Sequence, residues 1–196
     1  MARITVNQTG TNPMILISTT DIANVTSAML ANGNFSANAN STNTLSVGCL
    51  QDVTITASTG VFSWTDFCSI DTNKITTPAD NEVATNIVID SEKYFGNASA
   101  SGAAQDGIAD LSQNKDKVQF LVIWNSNGSG SGTANIANLI TDSVRNSFAT
   151  ASEPIYWSSG VGYITNLAPT ASPDAPVWVS PMTIAVDGTL YNGQNT

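Results

Sequence analysis

The chain has 196 residues, of which 41% are apolar and only 11% charged, against roughly 25% charged in an average soluble domain. Fifteen acidic residues face six basic ones, the net charge is −9, and there is no histidine. The lack of histidine removes the commonest general base, the commonest zinc ligand and every Ser-His-Asp or Cys-His constellation. The shortage of cations argues against nucleic acid as a specific partner, because phosphates are neutralised by clustered Lys and Arg. A non-enzymatic single domain is expected, solvated mainly by neutral Ser, Thr and Asn side chains.

Residues 1–13 read as an N-terminal arm, followed by one short strand at Met14-Ile15-Leu16-Ile17. The arm lacks the charged start and apolar run of a signal peptide, and no stretch of the chain approaches eighteen consecutive apolar residues. No membrane span is therefore expected. Residues 31–44 are low-complexity polar sequence, either a flexible loop or a segment that orders against a neighbouring subunit. From Leu45 the pattern alternates: positions 45, 47, 49, 53, 55 and 57 are apolar, as on a strand with one buried face. Ser58-Thr59-Gly60 reads as the turn of a hairpin that returns through Val61–Cys68. Cys49 and Cys68 would lie on its two strands, as a disulfide or as two reduced thiols.

Residues 71–82 read as a polar loop broken by Pro78, and Ile87-Val88-Ile89 as a strand. Ala104, Ile108 and Leu111 fall at helical spacing and predict a short helix over 104–113. Lys117–Trp124 is the most hydrophobic run and predicts a central strand. For 134–148 the apolar positions fit a helical face, although strands are an alternative. Tyr163–Leu167 and Val177–Val186 read as strands, with Pro181 suited to a sheet edge or bulge. Asp187-Gly188 reads as a turn before a C-terminal tail, 189–196.

Motifs for chemistry are sparse. Asp71-Thr72-Asn73 has the start of a calcium loop and Glu82 matches its twelfth position, but Thr76 stands where the loop requires glycine. No acid belongs to a recognisable glycosidase pair. Trp64, Trp124, Trp157 and Tyr163 are possible sugar platforms, although Trp64 and Trp124 sit in strand-like runs that favour the core. No catalytic residue, metal site or cofactor is expected.

The order of features from Leu45 to Gly188 resembles the tail tube (major tail) proteins of long-tailed bacteriophages. The features are the strand Leu50-Gln51-Asp52-Val53-Thr54-Ile55, then Tyr94-Phe95-Gly96, the short helix Gly107–Leu111 and the apolar strand Val118–Ile123. The closing segment is Asp174–Gly188, through Val177-Trp178-Val179 and Met182-Thr183-Ile184. The resemblance implies a mainly β chain, a β-sandwich or barrel with one short helix. It also implies a virion protein assembled in the host cytoplasm, with other tail proteins as partners. Copies would form stacked rings, commonly hexameric, around a bore through which the genome passes. An acidic wall would let DNA slide, and Asp66, Asp71, Asp90, Glu92 and Asp110 are the candidates to face that bore. The same composition would suit a capsid decoration (cement) protein or, with an aromatic groove, a carbohydrate-binding or adhesin domain.

Overall fold

A computed structural model describes residues 11–35, 44–47, 50–64, 73–89, 91–96, 106–127, 155–172 and 177–195. The chain is mainly β, as the alternation of β-branched and polar residues requires. Its strands are β1 (Thr11–Ser18), β2 (Thr44–Val47), β3 (Leu50–Trp64), β4 (Asn73–Val88), β5 (Lys117–Asn127), β6 (Ile155–Thr165), β7 (Val179–Val186) and β8 (Tyr191–Asn195). Three short helices accompany them: α1 (Ser27–Ala31), α2 (Ser91–Phe95) and α3 (Ile108–Asn114).

All eight strands belong to one antiparallel sheet in the order β2-β1-β5-β6-β7-β4-β3, with β8 also on β6. β7 and β8 share one flank of β6: Thr183–Val186 pairs its C-terminal half and Tyr191–Asn195 its N-terminal half. The sheet's first and last strands are consecutive in sequence. Val47 ends β2 and Leu50 begins β3, so their Cα atoms lie within about 11 Å, the reach of three extended residues. Strands pack ~4.8 Å apart, so the sheet curls into a barrel with a seam about two strands wide.

The barrel interior holds the main core. Val118, Phe120 and Val122 from β5 meet Ile15 and Ile17 of β1, Val83 and Ile87 of β4, and Met182 and Ile184 of β7. Across four strands the register lines up Ile55, Val83, Ile184 and Ile164 as one inward row. Tyr94 of α2 and Ile108 and Leu111 of α3 pack into the same cluster. The alternate residues of β5 are buried too. Leu121 and Ile123 form a second cluster with Leu16, Phe35 and Trp157 on the barrel's outer side. A strand buried on both faces reads as an unbroken apolar run, which is why Lys117–Trp124 was legible as central.

The outer cluster is covered by the segment around α1. Thr26 caps that helix by accepting a hydrogen bond from the Met29 amide at 3.3 Å, and Gly33, with φ of 64°, ends it. Two buried side chains of the sheet fasten the segment. Gln119 Nε2 donates to the Asn34 carbonyl at 2.7 Å, and the Ser159 hydroxyl donates to the Leu30 carbonyl. These bonds satisfy carbonyls at the helix C-terminus that have no partner within it.

Several expectations are corrected. Ser58-Thr59-Gly60 is no turn: β3 runs through it to Trp64, paired with β4 back to Asn73. The loop expected over 71–82 is strand from Asn73 onward. Pro78 is accommodated because the register slips there, with two β4 residues between the pairs Thr59–Ala79 and Val61–Thr76 against one, Gly60, on β3. Such a bulge leaves a residue outside the ladder, where a missing N–H costs little. The arm ends sooner than expected, since β1 begins at Thr11. The tail 189–196 contains β8, and the strand expected at 163–167 is β6, beginning at Ile155. Pro181 has a paired neighbour only on its β4 side, opposite Asn86, while β6 joins β7 from Thr183. The short helix expected over 104–113 is α3, running to Asn114. The possible helix at 134–148, the body of the 31–44 loop and both cysteines lie outside the described residues.

Candidate functional site

One quadrant of the barrel's outer surface has no covering layer among the described residues. There the register sets Thr56, Glu82, Ala185, Tyr163 and Lys117 side by side across five strands. The next row is Thr54, Ala84, Thr183 and Thr165, and the one after it Asp52, Asn86 and Pro181. Residues of one parity on paired strands share a face, so these rows form one pleated wall of small, mostly neutral side chains. Its charges are largely acidic. Glu82 and Asp80 lie two apart on β4 and are exposed. Asp52 accepts hydrogen bonds from the Asn86 backbone amide at 2.7 Å and its side-chain amide at 2.9 Å. The cation in these rows, Lys117, is paired with Asp187 at 2.6 Å. The wall thus offers a polyanion no unpaired cluster of positive charge.

The second feature is a ribbon. β4 pairs with β7 only from Glu82 to Val88, so Asn73–Asp80 and its β3 partner Ser58–Trp64 extend past the sheet as two strands alone. At ~3.3 Å per residue the seven residues of β3 reach about 23 Å. The bulge at Gly60 and Pro78 twists them at their root. Val61 and Phe62 are successive residues and therefore point to opposite faces, yet they are 57% and 62% exposed; Ile75, opposite Phe62, is 56% exposed. An isolated two-stranded ribbon is at best marginally stable in water. One that also exposes large apolar side chains on both faces has the composition of a surface meant to be covered.

The acids nominated from sequence divide as follows. Asp110 sits in the first turn of α3, where its Oδ2 accepts the Gly107 amide at 3.2 Å. It is half-buried and serves the helix N-terminus, where a carboxylate also opposes the dipole. Glu92 falls within α2, whose backbone alone is described at that position; Asp66, Asp71 and Asp90 lie outside the described residues. The acids of the bare wall, Asp52, Asp80 and Glu82, escaped sequence reading because two of them lie in the segment read as a loop. Once 73–88 is taken as strand, their even-numbered parity places them opposite Val83, Thr85 and Ile87.

The aromatic residues are corrected as well. Trp157 is 3% exposed within β6, so it is core and not a loop platform for sugar. Trp124 is half-buried and its Nε1–H donates to the Ser158 hydroxyl at 2.8 Å, which in turn donates to Asn192 Oδ1 at 2.6 Å. Only Tyr163 is exposed on the wall, and Trp64's side chain lies outside the description. From Asn73 to Glu82 the candidate calcium loop is extended strand and cannot wrap an ion. Among the described residues no group of three or more acids, cysteines or histidines is placed to hold a metal, and no helix is long and apolar enough to cross a membrane. Comparison with protein-family models and with curated proteins finds no match to this sequence.

Proposed function

We propose that this chain is a structural subunit that polymerises with copies of itself, in the manner of phage tail tube proteins, as stacked rings around a bore. The observation that carries the reading is the projecting ribbon, whose exposed Val61, Phe62 and Ile75 need a covering surface that the subunit itself does not supply. The free edges of the sheet do not serve that purpose equally well. β2 and β3 lie together at one seam, three residues apart in sequence. Joining the last strand of one copy to the first strand of the next would leave no room for a ring of side-by-side sheets. Lateral or axial contacts therefore fall to the ribbon.

The bare wall suits the bore. Small hydroxyl and methyl side chains give a smooth surface, and Asp52, Asp80 and Glu82 repel a passing duplex that carries one negative charge per ~1.7 Å. On this reading the protein is not an enzyme, takes no cofactor, belongs to the virion and meets other tail proteins at the ends of the tube. The test is sedimentation and negative-stain imaging of the purified chain over a range of concentrations. Stacked rings or tubes are expected. A species that stays monomeric at high concentration overturns the reading, and discrete small oligomers without a bore would favour a shell decoration protein instead.

A further inference from the structure

The barrel has two unlike ends along the β3–β4 axis. The ribbon leaves at one. At the other, β4 stops at Val88, paired with Val179 where β7 begins. There Ile89 donates its amide to the Trp178 carbonyl at 2.9 Å, and α2 starts three residues beyond the strand. This second end also exposes large apolar side chains: Val177 at 45%, Trp178 at 52% and Phe95 at 53%. Roughly thirteen residues of β4 separate Ile75 from Val88, so the two sets lie about 40 Å apart at strand rise.

We infer that the ribbon of one copy docks head to tail on the Trp178 end of another, so that the contact between successive layers is heterologous and open-ended. This inference rests on the self-assembly reading and adds which surface covers the ribbon. Three arguments favour a second copy as the occupant. The two apolar sets match in size: with full aromatic side chains at 150–250 Å², each amounts to about 300 Å² of exposed apolar surface. Their placement at opposite ends means that every copy carries both halves of the contact, and an interface of that kind propagates as a filament unless rotation closes it. Finally, the combined area, about 600 Å², is below the roughly 1,200 Å² of a stable two-body complex. One contact alone holds weakly. A layer of several copies docking together multiplies it through effective concentration, so the contact favours stacked assemblies over free dimers.

The experiment uses the full chain and two charge-introducing variants, Phe62→Asp with Ile75→Asp at the ribbon and Trp178→Glu at the opposite end. All altered positions are more than half exposed, so circular dichroism and melting temperature are expected to match the parent. Each variant alone is expected to lose elongation. Assembled separately and then mixed in equal amounts, the two are expected to form pairs of layers and nothing longer. The Trp178→Glu chain still offers an intact ribbon, and the ribbon variant an intact Trp178 end. Elongation of either variant to the parent's length overturns the inference while leaving self-assembly intact, and so does a mixture that gives no paired species. Failure of the parent chain itself to assemble overturns the underlying reading instead.

Discussion

Glycines fix the geometry of β6 where large rings cross it. Phe120 lies opposite Gly160 and Trp157 opposite Gly193 in the register. A Cβ on Gly193 would sit 2.1 Å from Trp157 Cζ2, and one on Gly160 would sit 2.9 Å from Phe120 Cζ. The Trp157 ring is itself buried among Leu16, Leu121 and Ile123, so it has little freedom to move aside. Overpacking of this kind costs about 1–3 kcal/mol. Gly193→Ala is therefore expected to lower the melting temperature by several degrees, at about 2–4 °C per kcal/mol for a chain of this size. It should also alter tryptophan fluorescence, because either Trp157 or β8 must shift. An unchanged melting temperature would mean that β8 does not hold Trp157 in place. Nothing in the sequence marks Gly193: it lies in a polar tail, and only the pairing of β8 with β6 brings it under a ring.

At the scale of elements, the legible parts were those with an internal period. β5 announces itself as a continuous apolar run because both its faces are covered, and α3 by Ala104, Ile108 and Leu111 at helical spacing. β4 was hidden because Asn73–Asn81 is polar and contains Pro78, which ordinarily marks a loop. A ribbon without a covering layer has no buried face in the subunit and so no alternation to read. The same lack of burial makes it the easiest part to open. Local opening needs little free energy where few apolar contacts are lost, and Lys74 lies exposed within the ribbon. In the unassembled chain, trypsin is expected to cut after Lys74 while the barrel remains folded. In assemblies that cut should slow by about tenfold or more, the factor supplied by 1.4 kcal/mol of docking. Equal cleavage rates in both states would remove the ribbon from the interface.

For the whole molecule the governing quantity is the distribution of its −9 net charge. Copies of such a chain repel one another over a Debye length, about 8 Å at physiological salt, so assembly through apolar contacts should be promoted by added salt. The same charge acts on a duplex inside a bore, and there the question is whether the bare wall faces it. Asp80→Lys with Glu82→Lys tests this without touching the core, since both side chains are exposed and Asp52 keeps its bonds to Asn86. Each reversal adds two charges, so the subunit moves from −9 to −5 (−9 + 4), and every copy in a ring brings two new lysines to one surface. Tubes of this variant assembled with short duplexes are expected to retain DNA, with an affinity that falls as salt rises by about 0.9 log units per log unit for each phosphate neutralised. Parent tubes should retain none. The location follows from nuclease treatment: DNA held in a bore is protected, whereas DNA held on the outer wall is digested. Retention that is lost to nuclease would place Asp80 and Glu82 outside the tube and reverse the orientation of the subunit, leaving the covered side around α1 nearer the bore.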